Sequence, residues 1–511
     1  MRNFSVTASP VEPLPVAGST KRPSTRTLFV GFVLDPVESL RLVDQGPSAE
    51  DEDACADFRA FWGAKSELRR FQDGAIVESV VWDEVSPVGL GQQRSTIVRR
   101  IVEHILQERH GVPSANIDFF AGAFDHLLVE PEALRRSLYL EDSVVNGKGF
   151  TNVVTAFDDL AKEIKDLPEL PLSVSAVQPC SPSLRYSSTF VPSPRRLKDY
   201  ARLPLSTKYF DAHDILLTFE GSGRWPDDLE GIQKIKAAFL GKVGEGLEAT
   251  RAVLRAELVF DTDARPIDDN VALEIMTASG WAFRARVFYD RSETLLEERE
   301  DQLGEVAVTA GSGTPLDLYL QRFVHAPKHH AAISTLQNHY PSFSPTVRLF
   351  KRWLSAHLLS AHFATEQIEL LVASVFLDPT SPYGVPNSGA TGFARVLEQL
   401  ARWKWRDEPV LVPIYTFTAA ITSGRRAVLP TAERAEAIAS FQALRLAKPH
   451  IEENAWILAT ENDLEGTVWG RETSKVAAAR VRSLAIAALE TLRTGVVQGG
   501  LVTEVRQLSL L

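Results

Sequence analysis

Two aspartates in the middle of the chain, Asp261 and Asp263, have the spacing with which carboxylates on a strand can hold divalent metal ions. They follow the apolar run Leu258–Phe260, but an Ala-Arg-Pro sequence typical of a turn comes directly after them. We therefore expect the pair at the end of a strand, in solvent, and not in a metal site.

Three histidines, His325, His329 and His330, are the other candidate metal ligands. The sequence places no cysteine or carboxylate beside them at ligand spacing, so they are expected to pack or to contact a phosphate. Cys55 and Cys180 are the only cysteines, too few for a disulfide framework or a four-cysteine metal site. They indicate a reducing, intracellular compartment. The residues predict neither a metal nor a cofactor.

Basic side chains beside aromatic ones form a second kind of candidate site. Lys65, Arg69 and Arg70 lie between Trp62 and Phe71, a mixture that suits single-stranded RNA. Buried aromatic rings with solvated cations explain the same string equally well. Both interpretations stay open.

An amphipathic segment, Thr346–Ala361, carries a third set. Its apolar stripe consists of Val347, Phe350, Leu354, His357, Leu358 and Ala361. That helical phase turns Arg348, Arg352 and Ser355 outward and leaves Lys351 at the edge of the stripe. By contrast, Arg284 and Arg286 alternate with apolar residues, which predicts simply a half-exposed strand.

The elements that would position these residues divide into three parts. Residues 27–150 alternate strand and helix patterns and predict a small α/β domain. Its expected elements are strands at Leu28–Leu34 and Ala75–Trp82, a loop with Gly46-Pro47, a helix near Phe58–Trp62 and a helix that begins after Ser95. Residues 1–26 contain four prolines and are expected to be a disordered leader, because proline breaks the helix that a transit peptide needs.

The other two parts are longer. Residues 155–320 predict a mixed sheet, with a strand at Ile215–Phe219, a helix at Leu229–Val243 and a hairpin at Val271–Tyr289 that turns at Ser279-Gly280. Residues 321–495 are helix-rich, with a loop at Pro379–Gly392, a strand at Trp456–Thr460 and a final helix at Lys475–Leu492. Residues 496–511 form a tail.

Composition and charge exclude some classes of protein. The chain of 511 residues is too long for one core, given about 150 residues per domain. Its formal net charge of -11 lacks the basic footprint of a free nucleic-acid binder, so RNA contact would need local basic patches. The sequence has no apolar run near the roughly 20 residues that a bilayer-spanning helix needs.

Several stretches together resemble the Nrap family of nucleolar proteins. They are FRAFWGAKSELRRFQDGAIVESVVW (58–82), GWAFRARVFY before Asp290, RFVHAPKHH, YPSFSPTVRLFKRWLSAHLLS, EQIELLVASVFLDP and TGFARVL. Family members look like two nucleotidyltransferase-type modules in tandem, each followed by a helical domain like that of poly(A) polymerases and oligoadenylate synthetases. On that resemblance, the chain holds the central α/β domain, the second module and its helical partner, and stops before the family's last domain.

The resemblance implies an α/β (α+β) fold: a degenerate nucleotidyltransferase-like mixed-sheet domain, a poly(A) polymerase-like helical domain packed against it from near Arg322, and a smaller α/β domain before them. In active relatives a Gly-Ser turn opens a short helix, and an Asp-x-Asp strand follows. Here the candidate turn, Gly221-Ser222-Gly223, precedes a helix-type run and no strand with paired acids. The resemblance therefore implies a module without catalysis.

In active relatives the lysine of the K-x-W helix reaches the triphosphate. Lys351 could therefore still hold a phosphate, with RNA backbone as its natural source. Arg348 and Arg352 accompany it on the same helix. A solvated helix face is the alternative.

The resemblance also implies a function: a non-catalytic RNA- and protein-binding scaffold of the small-subunit processome, in the nucleolus. The implied partners are pre-ribosomal RNA, small nucleolar ribonucleoprotein, an rRNA-processing partner protein and a casein kinase II subcomplex, with no membrane. Two other classes stay open. An active RNA nucleotidyltransferase of the CCA-adding or poly(A) polymerase type would need a carboxylate pair on a strand. The acidic net charge favours a protein scaffold without RNA contact.

Overall fold

The structure is a computed structural model. It describes residues 5–7, 30–35, 38–82, 90–117, 119–131, 133, 149–168, 170–195, 211–222, 225–251, 253–261, 269–303, 313–377, 384–417, 420 and 427–497. Of the helices in these ranges, none is both long and apolar enough to cross a membrane.

A small antiparallel sheet begins the chain's first α/β unit. Its strand order is β3-β5-β4, formed by Val43–Ser48 (β3), Ser66–Arg70 (β4) and Ile76–Val81 (β5). Helices Glu52–Trp62 (α1) and Leu90–His110 (α2) cover it, and a short pair, Ser5–Thr7 (β1) with Gly31–Val33 (β2), lies beside it in sequence. The core contains Val80, Trp82, Ile97 and Ile101. The strand predicted at Ala75–Trp82 is confirmed as β5, and β2 lies within the strand predicted at Leu28–Leu34, of which residues 28 and 29 lie outside the described residues.

Two predictions in this unit were wrong. The segment predicted as a loop with Gly46-Pro47 is strand β3, and its pairing with β5 is irregular between Gln45 and Ser48. A bulge there accommodates the proline, which cannot donate a ladder hydrogen bond. Helix α2 begins at Leu90 and not after Ser95, because the helix continues backward through polar residues that do not extend the apolar pattern.

The second unit is built on a five-stranded mixed sheet of order β6-β7-β10-β9-β8. Its strands are Val174–Pro179 (β6), His213–Phe219 (β7), Val253–Phe260 (β8), Val271–Thr277 (β9) and Ala282–Phe288 (β10). Strands β7 and β10 are parallel, and the other pairs are antiparallel. The mixed sheet expected from the sequence is confirmed.

Helices cover the two faces of this sheet unequally. Thr151–Lys165 (α3) and Leu229–Thr250 (α4) pack on the face that carries Ile215, Leu217 and Phe283. The opposite face carries Leu216 and Phe288, which contact Arg291–Leu303 (α5) and the start of the helical domain. Because side chains alternate along a strand, the polar residues of β7 and β10 share this second face.

The β9–β10 hairpin turns where Ser279-Gly280 was predicted to turn it. Gly280 has φ +89°, and a Cβ there would lie 2.4 Å from the backbone oxygen of Arg195. Only glycine satisfies both the left-handed conformation and that approach. The predicted hairpin is confirmed.

The third unit is helical and starts with a continuous but irregular helix. Pro315–Leu320 (α6) passes through a π turn at Gln321–His325 into Ala326–His339 (α7). Pro327 lies in the first turn of α7 and has no N–H to donate to the preceding turn. The widened turn is the local response to that missing donor.

Its remaining helices are Phe343–Ala356 (α8), Thr365–Leu377 (α9), Gly389–Arg402 (α10), Thr431–Ala447 (α11) and Lys475–Val497 (α12). Val410–Leu411 (β11) and Leu458–Ala459 (β12) form a short parallel pair. The strand predicted at Trp456–Thr460 is thus shortened to the two residues of β12. Helix α10 begins inside the segment predicted as a loop, because Ser388 caps it by accepting a hydrogen bond from the Thr391 N–H. Residues 378–383 of that loop lie outside the described residues.

Helix α8 is central to the helical domain. Val347, Phe350 and Leu354 are fully buried, as the apolar stripe predicted. The helix ends at Ala356, so the stripe's extension was wrong: Leu358 has φ +58° and is 88% exposed. Helix α10 crosses α8 closely at Gly392, where a Cβ would lie 2.1 Å from Thr346 Oγ1.

The sheet unit and the helical unit share buried surface. Tyr319 and Phe323 pack with Leu216 of β7. Phe124 and Leu128, which precede the sheet unit, pack into the helical core. The predicted packing of the helical domain against the mixed sheet is confirmed.

Candidate phosphate site at the junction of sheet and helices

The turn after β6 leads into a short helix, Pro182–Arg185, and then to β7. This is the strand–turn–short helix–strand order that the family resemblance implies. Its turn carries Cys180-Ser181, and β7 starts with His213-Asp214. The interpretation of Gly221-Ser222-Gly223 as this turn was wrong, because Gly221 follows the far end of β7. Because a long connection separates the short helix from β7, the sequence alone does not show that the turn belongs with this strand.

The groups at this turn are held in uncharged or paired states. Ser181 Oγ accepts a hydrogen bond from the Asp214 N–H at 2.7 Å. Burial raises the pKa of the Cys180 thiol to about 12, so the thiol stays protonated. Burial lowers the pKa of His213 to about 4, so its imidazole is neutral and lies 2.8 Å from Ser183 Oγ.

Arginines lie beside Asp214, a carboxylate at the start of β7. Asp214 pairs in register with Arg284 of β10, and its Oδ1 lies 3.9 Å from Arg284 Nη1. Arg284 and Arg286 are half-exposed on this face, as predicted. Burial raises the pKa of Asp214, although Arg284, Arg286 and Arg322 act to lower it. Among the described residues, no group of three His, Cys, Asp or Glu side chains could hold a metal ion.

The other acidic candidate lies elsewhere. Asp261 directly follows β8 and is exposed, so its predicted place at the end of a strand is confirmed. Asp263 lies outside the described residues.

A buried carboxylate, Glu369 of α9, organises the junction between the two units. Its Oε1 accepts hydrogen bonds from Lys351 Nζ at 2.7 Å and from Ser187 Oγ at 2.5 Å. Its Oε2 lies 2.8 Å from both Arg185 Nε and His329 Nε2. Arg185 and Ser187 come from the sheet unit, whereas Lys351 and His329 come from the helices, so this carboxylate joins the two units.

The charges in this cluster are matched. Arg185 also pairs with Glu366 at 2.9 Å, which gives two basic groups and two carboxylates. Burial alone would raise the pKa of Glu369, but Arg185, Lys351 and His329 outweigh it and hold that pKa well below its usual range. Burial in turn lowers the pKa of Lys351. An ionised carboxylate inside a protein is stable only with such partners.

Two of the basic residues selected from the sequence are therefore not at the surface. Arg348 was predicted to point outward and is buried: it donates to the Leu128 and Thr189 carbonyls, and burial lowers its pKa to about 10. Lys351 was predicted at the edge of the apolar stripe, with a phosphate or solvent around its ammonium, and it is instead buried on Glu369. The covering groups come from distant segments, which the phase of a single helix cannot reveal.

The other selected residues are accessible. Arg352 is half-buried, with its guanidinium 5.4 Å from the Phe190 ring centroid. Lys65, Arg69 and Arg70 are exposed, and Lys65 Nζ lies 5.5 Å from the Trp82 ring. The neighbouring Trp62 stacks on His104 at 4.8 Å.

The three histidines take packing positions. His329 and His330 are buried in α7, where His329 contacts Glu369. Burial lowers the pKa of His330 to about 3. His325 ends the π turn, and burial lowers its pKa as well.

The carboxylate partner of Lys351 could have been found from the sequence only in part. Glu369 lies in the stretch EQIELLVASVFLDP, which resembles the family, and is a charged residue between the apolar Ile368 and Leu370. Such a residue in a buried helix needs an opposite charge. Nothing in the sequence shows that the partner is Lys351.

Models of known protein families match nearly the whole chain. Family models described as Nrap protein domain 3, Nrap protein nucleotidyltransferase domain 4 and Nrap protein PAP/OAS1-like domain 5 match residues 2–111, 123–338 and 340–509. The chain belongs to the Nrap family. The fold expected from the resemblance, with nucleotidyltransferase-like and PAP/OAS1-like units, is thereby confirmed.

Curated relatives agree with this assignment. U3 small nucleolar RNA-associated protein 22 of Schizosaccharomyces pombe is 33% identical over 93% of this chain and 40% of its own length. Nucleolar protein 6 of Mus musculus is 32% identical over 88% of this chain and 36% of its own length. This Nrap chain therefore spans about 40% or less of the length of these relatives.

Solved structures match only distantly. Terminal uridylyl transferase 4 from Trypanosoma brucei with bound CTP is 10% identical, with a TM-score of 0.39 over 74% of this chain and 99% of that chain. mtPAP in complex with GTP is 9% identical, with a TM-score of 0.36 over 91% of this chain and 97% of that chain. Likeness at this level carries no information about activity.

Proposed function

We propose that this Nrap chain is a non-catalytic part of a scaffold that binds RNA and proteins during biogenesis of the small ribosomal subunit. Its curated relatives are named as a U3 small nucleolar RNA-associated protein and a nucleolar protein. These names support a nucleolar location and binding to pre-ribosomal RNA and small nucleolar ribonucleoprotein. By the same resemblance, an rRNA-processing protein and a casein kinase II subcomplex are its protein partners.

The contact between Lys351 and Glu369 carries the non-catalytic part of this proposal. The resemblance assigns Lys351 to the position from which active relatives reach a triphosphate. In this chain the Lys351 ammonium is buried and lies 2.7 Å from the Glu369 carboxylate. A nucleotide would have to displace an internal anion that Arg185, Ser187 and His329 also hold. Removing one partner of such a buried pair costs about 3–5 kcal/mol, which would be subtracted from nucleotide binding.

The start of β7 supports the same conclusion. Metal-assisted transfer needs closely set carboxylates to hold two cations. The register of β7 and β10 places Arg284 beside Asp214. A second carboxylate at the position of Arg284 would help to hold a metal, whereas a guanidinium group does not. Nearby guanidinium groups repel divalent cations and favour anions instead.

A primer-extension assay tests the absence of catalysis. The full chain is incubated with labelled nucleotides, an RNA primer and magnesium or manganese, alongside an active terminal uridylyl transferase as a positive control. We expect no extension by this chain. Extension that Asp214→Ala or Asp261→Ala abolishes would overturn the non-catalytic assignment.

RNA contact is proposed for the accessible basic residues, Lys65, Arg69, Arg70 and Arg352, and not for the buried Lys351 and Arg348. Edge strand β4 presents Arg69 and Arg70 to solvent, and the exposed Lys65 just before it lies 5.5 Å from the Trp82 ring. Ultraviolet crosslinking of the chain to RNA, followed by identification of the crosslinked peptides, tests this directly. Crosslinks absent from every part of the chain would favour a scaffold that contacts only proteins.

A further inference from the structure

A cavity of about 310 Å³ opens on the helical unit, between the end of α10 and helix α12. This volume is near the lower limit of cavities that bind ligands, about 300 Å³. The loop after α10 contributes residues 403–407 to its lining, and α12 contributes Ala479, Arg482, Ser483 and Ile486. None of these residues belongs to the junction around Glu369, so the cavity is a separate feature.

Part of the lining is apolar. Trp403 and Trp405 are only 6% and 5% exposed, so their rings offer too little free surface for a base to stack on them. Ile486, by contrast, is 51% exposed. Val476, which is 71% exposed, lies two turns before Ser483 and therefore on the same side of α12. Exposed aliphatic side chains beside a cavity are typical of a surface that binds protein.

The lining also contains three cations, Lys404, Arg406 and Arg482, and one carboxylate, Asp407. All four side chains are exposed. None of the three cations forms an ion pair with any residue that the structure describes. Glu408 follows Asp407 in sequence but lies outside the lining. The cavity therefore carries an excess of positive charge on a chain whose net charge is -11.

Two of the guanidinium groups are held in place by contacts at the cavity. Arg482 Nε donates a hydrogen bond to the Ala401 carbonyl at 3.2 Å. Arg406 lies with its guanidinium carbon 4.9 Å from the Trp405 ring centroid. The remaining N–H groups of both arginines stay available, and an oriented guanidinium suits a carboxylate, which it can bind with two parallel hydrogen bonds. Such orientation lowers the entropy cost of binding a partner.

The aliphatic surface and the cations together favour an acidic polypeptide over RNA. An apolar side chain of a polypeptide can cover Ile486, whereas RNA has no aliphatic side chain. Arg406 already covers one face of the Trp405 ring, on which a base would otherwise stack. Aspartate or glutamate side chains on either side would neutralise the cations, and backbone N–H groups of a polypeptide can donate to Asp407.

We propose that the cavity between α10 and α12 is a docking site for an acidic segment of a partner protein. One apolar side chain of that segment enters the cavity against Ile486, and carboxylates on either side of it pair with Lys404, Arg406 and Arg482. The site rests on the proposed function, because it gives the protein-binding part of the scaffold a location and a ligand chemistry. None of the residues proposed above for RNA lines this cavity.

Fluorescence anisotropy with the full chain tests the site. The probes are labelled twelve-residue peptides, each with one leucine, isoleucine, methionine, phenylalanine or tryptophan between runs of aspartate and glutamate. Control peptides carry serine at the centre, or asparagine and glutamine in place of the acids, and a labelled uridine 20-mer represents RNA. The variants are Arg406→Gln/Arg482→Gln and Ile486→Gln. Their matched control, Arg434→Gln/Arg480→Gln, replaces two exposed arginines that do not line the cavity.

We expect acidic peptides with an apolar centre to bind the unmodified chain, and Arg406→Gln/Arg482→Gln to weaken that binding about fivefold or more. Ile486→Gln should weaken binding of the same peptides about threefold or more, because apolar contact is lost, and should leave the serine-centred peptides unaffected. The matched control should bind as the unmodified chain does. Circular dichroism melting checks that each variant folds.

Several results would overturn the site. One is that no acidic peptide binds, and another is that the matched control weakens binding as much as Arg406→Gln/Arg482→Gln does. Binding of the uridine 20-mer in place of the peptides, lost in that variant, would assign the cavity to RNA. A dimer in sedimentation that the same variant dissociates would assign it to a second copy of the chain. The scaffold function has separate tests, primer extension and crosslinking, so its failure is distinguishable from failure of this site.

Discussion

Glu369 of α9 is the carboxylate to which Lys351 of α8 donates, at 2.7 Å, and both side chains are buried between the two units. The same carboxylate accepts from Arg185, which belongs to the sheet unit. One internal anion therefore accepts hydrogen bonds from both units and holds them together.

Replacing Glu369 by glutamine should lower the free energy of unfolding by about 3–5 kcal/mol, because the buried Lys351 and Arg185 lose their main counter-charge. Urea unfolding followed by circular dichroism measures the change. Glu366→Gln is the matched control: Glu366 is partly exposed and binds only Arg185 in this cluster, so its loss should cost less. Equal costs for the two variants would contradict the central role given to Glu369.

The low pKa of Glu369 predicts a dependence on acid. Its pKa is held well below the usual value in the folded state by Arg185 and Lys351, although burial opposes them. The folded chain therefore binds fewer protons than the unfolded chain at that carboxyl group. Its stabilising contribution is complete above a pH of about 4.5 and is lost as the pH falls toward the lower folded pKa. Urea unfolding between pH 6 and about pH 3 should show a shallower acid loss for Glu369→Gln than for the unmodified chain.

The contact between Lys351 and Glu369 should be visible in a double-mutant cycle. Lys351→Met and Glu369→Gln together should cost less than the sum of the single changes, with a coupling of about 0.5–3 kcal/mol. Arg352→Met provides the comparison, because Arg352 stacks near Phe190 and is half-buried. Its effect should add to that of Glu369→Gln. Additivity for Lys351 as well would mean that the two charges do not depend on each other.

Close packing of α8 against α10 predicts a steric effect at Gly392. A methyl group there would lie 2.1 Å from Thr346 Oγ1, so Gly392→Ala should destabilise the chain by about 1–3 kcal/mol. Gly241→Ala is the matched control within helix α4, since its added carbon would lie at an ordinary 3.6 Å from Leu258. That change should be neutral or stabilising, because alanine favours helices over glycine by up to about 1 kcal/mol. A thermal melt of both variants decides the matter.

Features specified by neighbouring residues could be predicted from the sequence, and features specified by distant ones could not. The β9–β10 hairpin was predictable because alternation and a Ser-Gly turn lie within one short segment. The burial of Arg348 was not, because Leu128 and Thr189, which accept its hydrogen bonds, are far away in sequence. Strand β3 could not be predicted, because a Gly-Pro pair is typical of a turn, and only its irregular pairing with the distant strand β5 accommodates Gly46-Pro47 within a strand.

The same distinction applies to the candidate site. The stretch around Lys351 was recognised, whereas its partner in α9 was not, because a helix pattern gives the direction of a side chain and not what meets it. The turn after β6 could not be predicted either, because its Cys180-Ser181 sequence differs from the Gly-Ser turn of active relatives. Only the three-dimensional order of strand, short helix and strand places it beside Asp214.

The carboxylate of Glu369 has a consequence for regulation. A protein closed by a soluble metabolite gains stability by mass action, so its shape follows the concentration of that metabolite. Here the closing anion is part of the polypeptide and is present at a fixed, very high effective concentration beside Lys351 and Arg185. The joint between the two units should therefore keep one geometry whether cellular nucleotide pools are full or depleted.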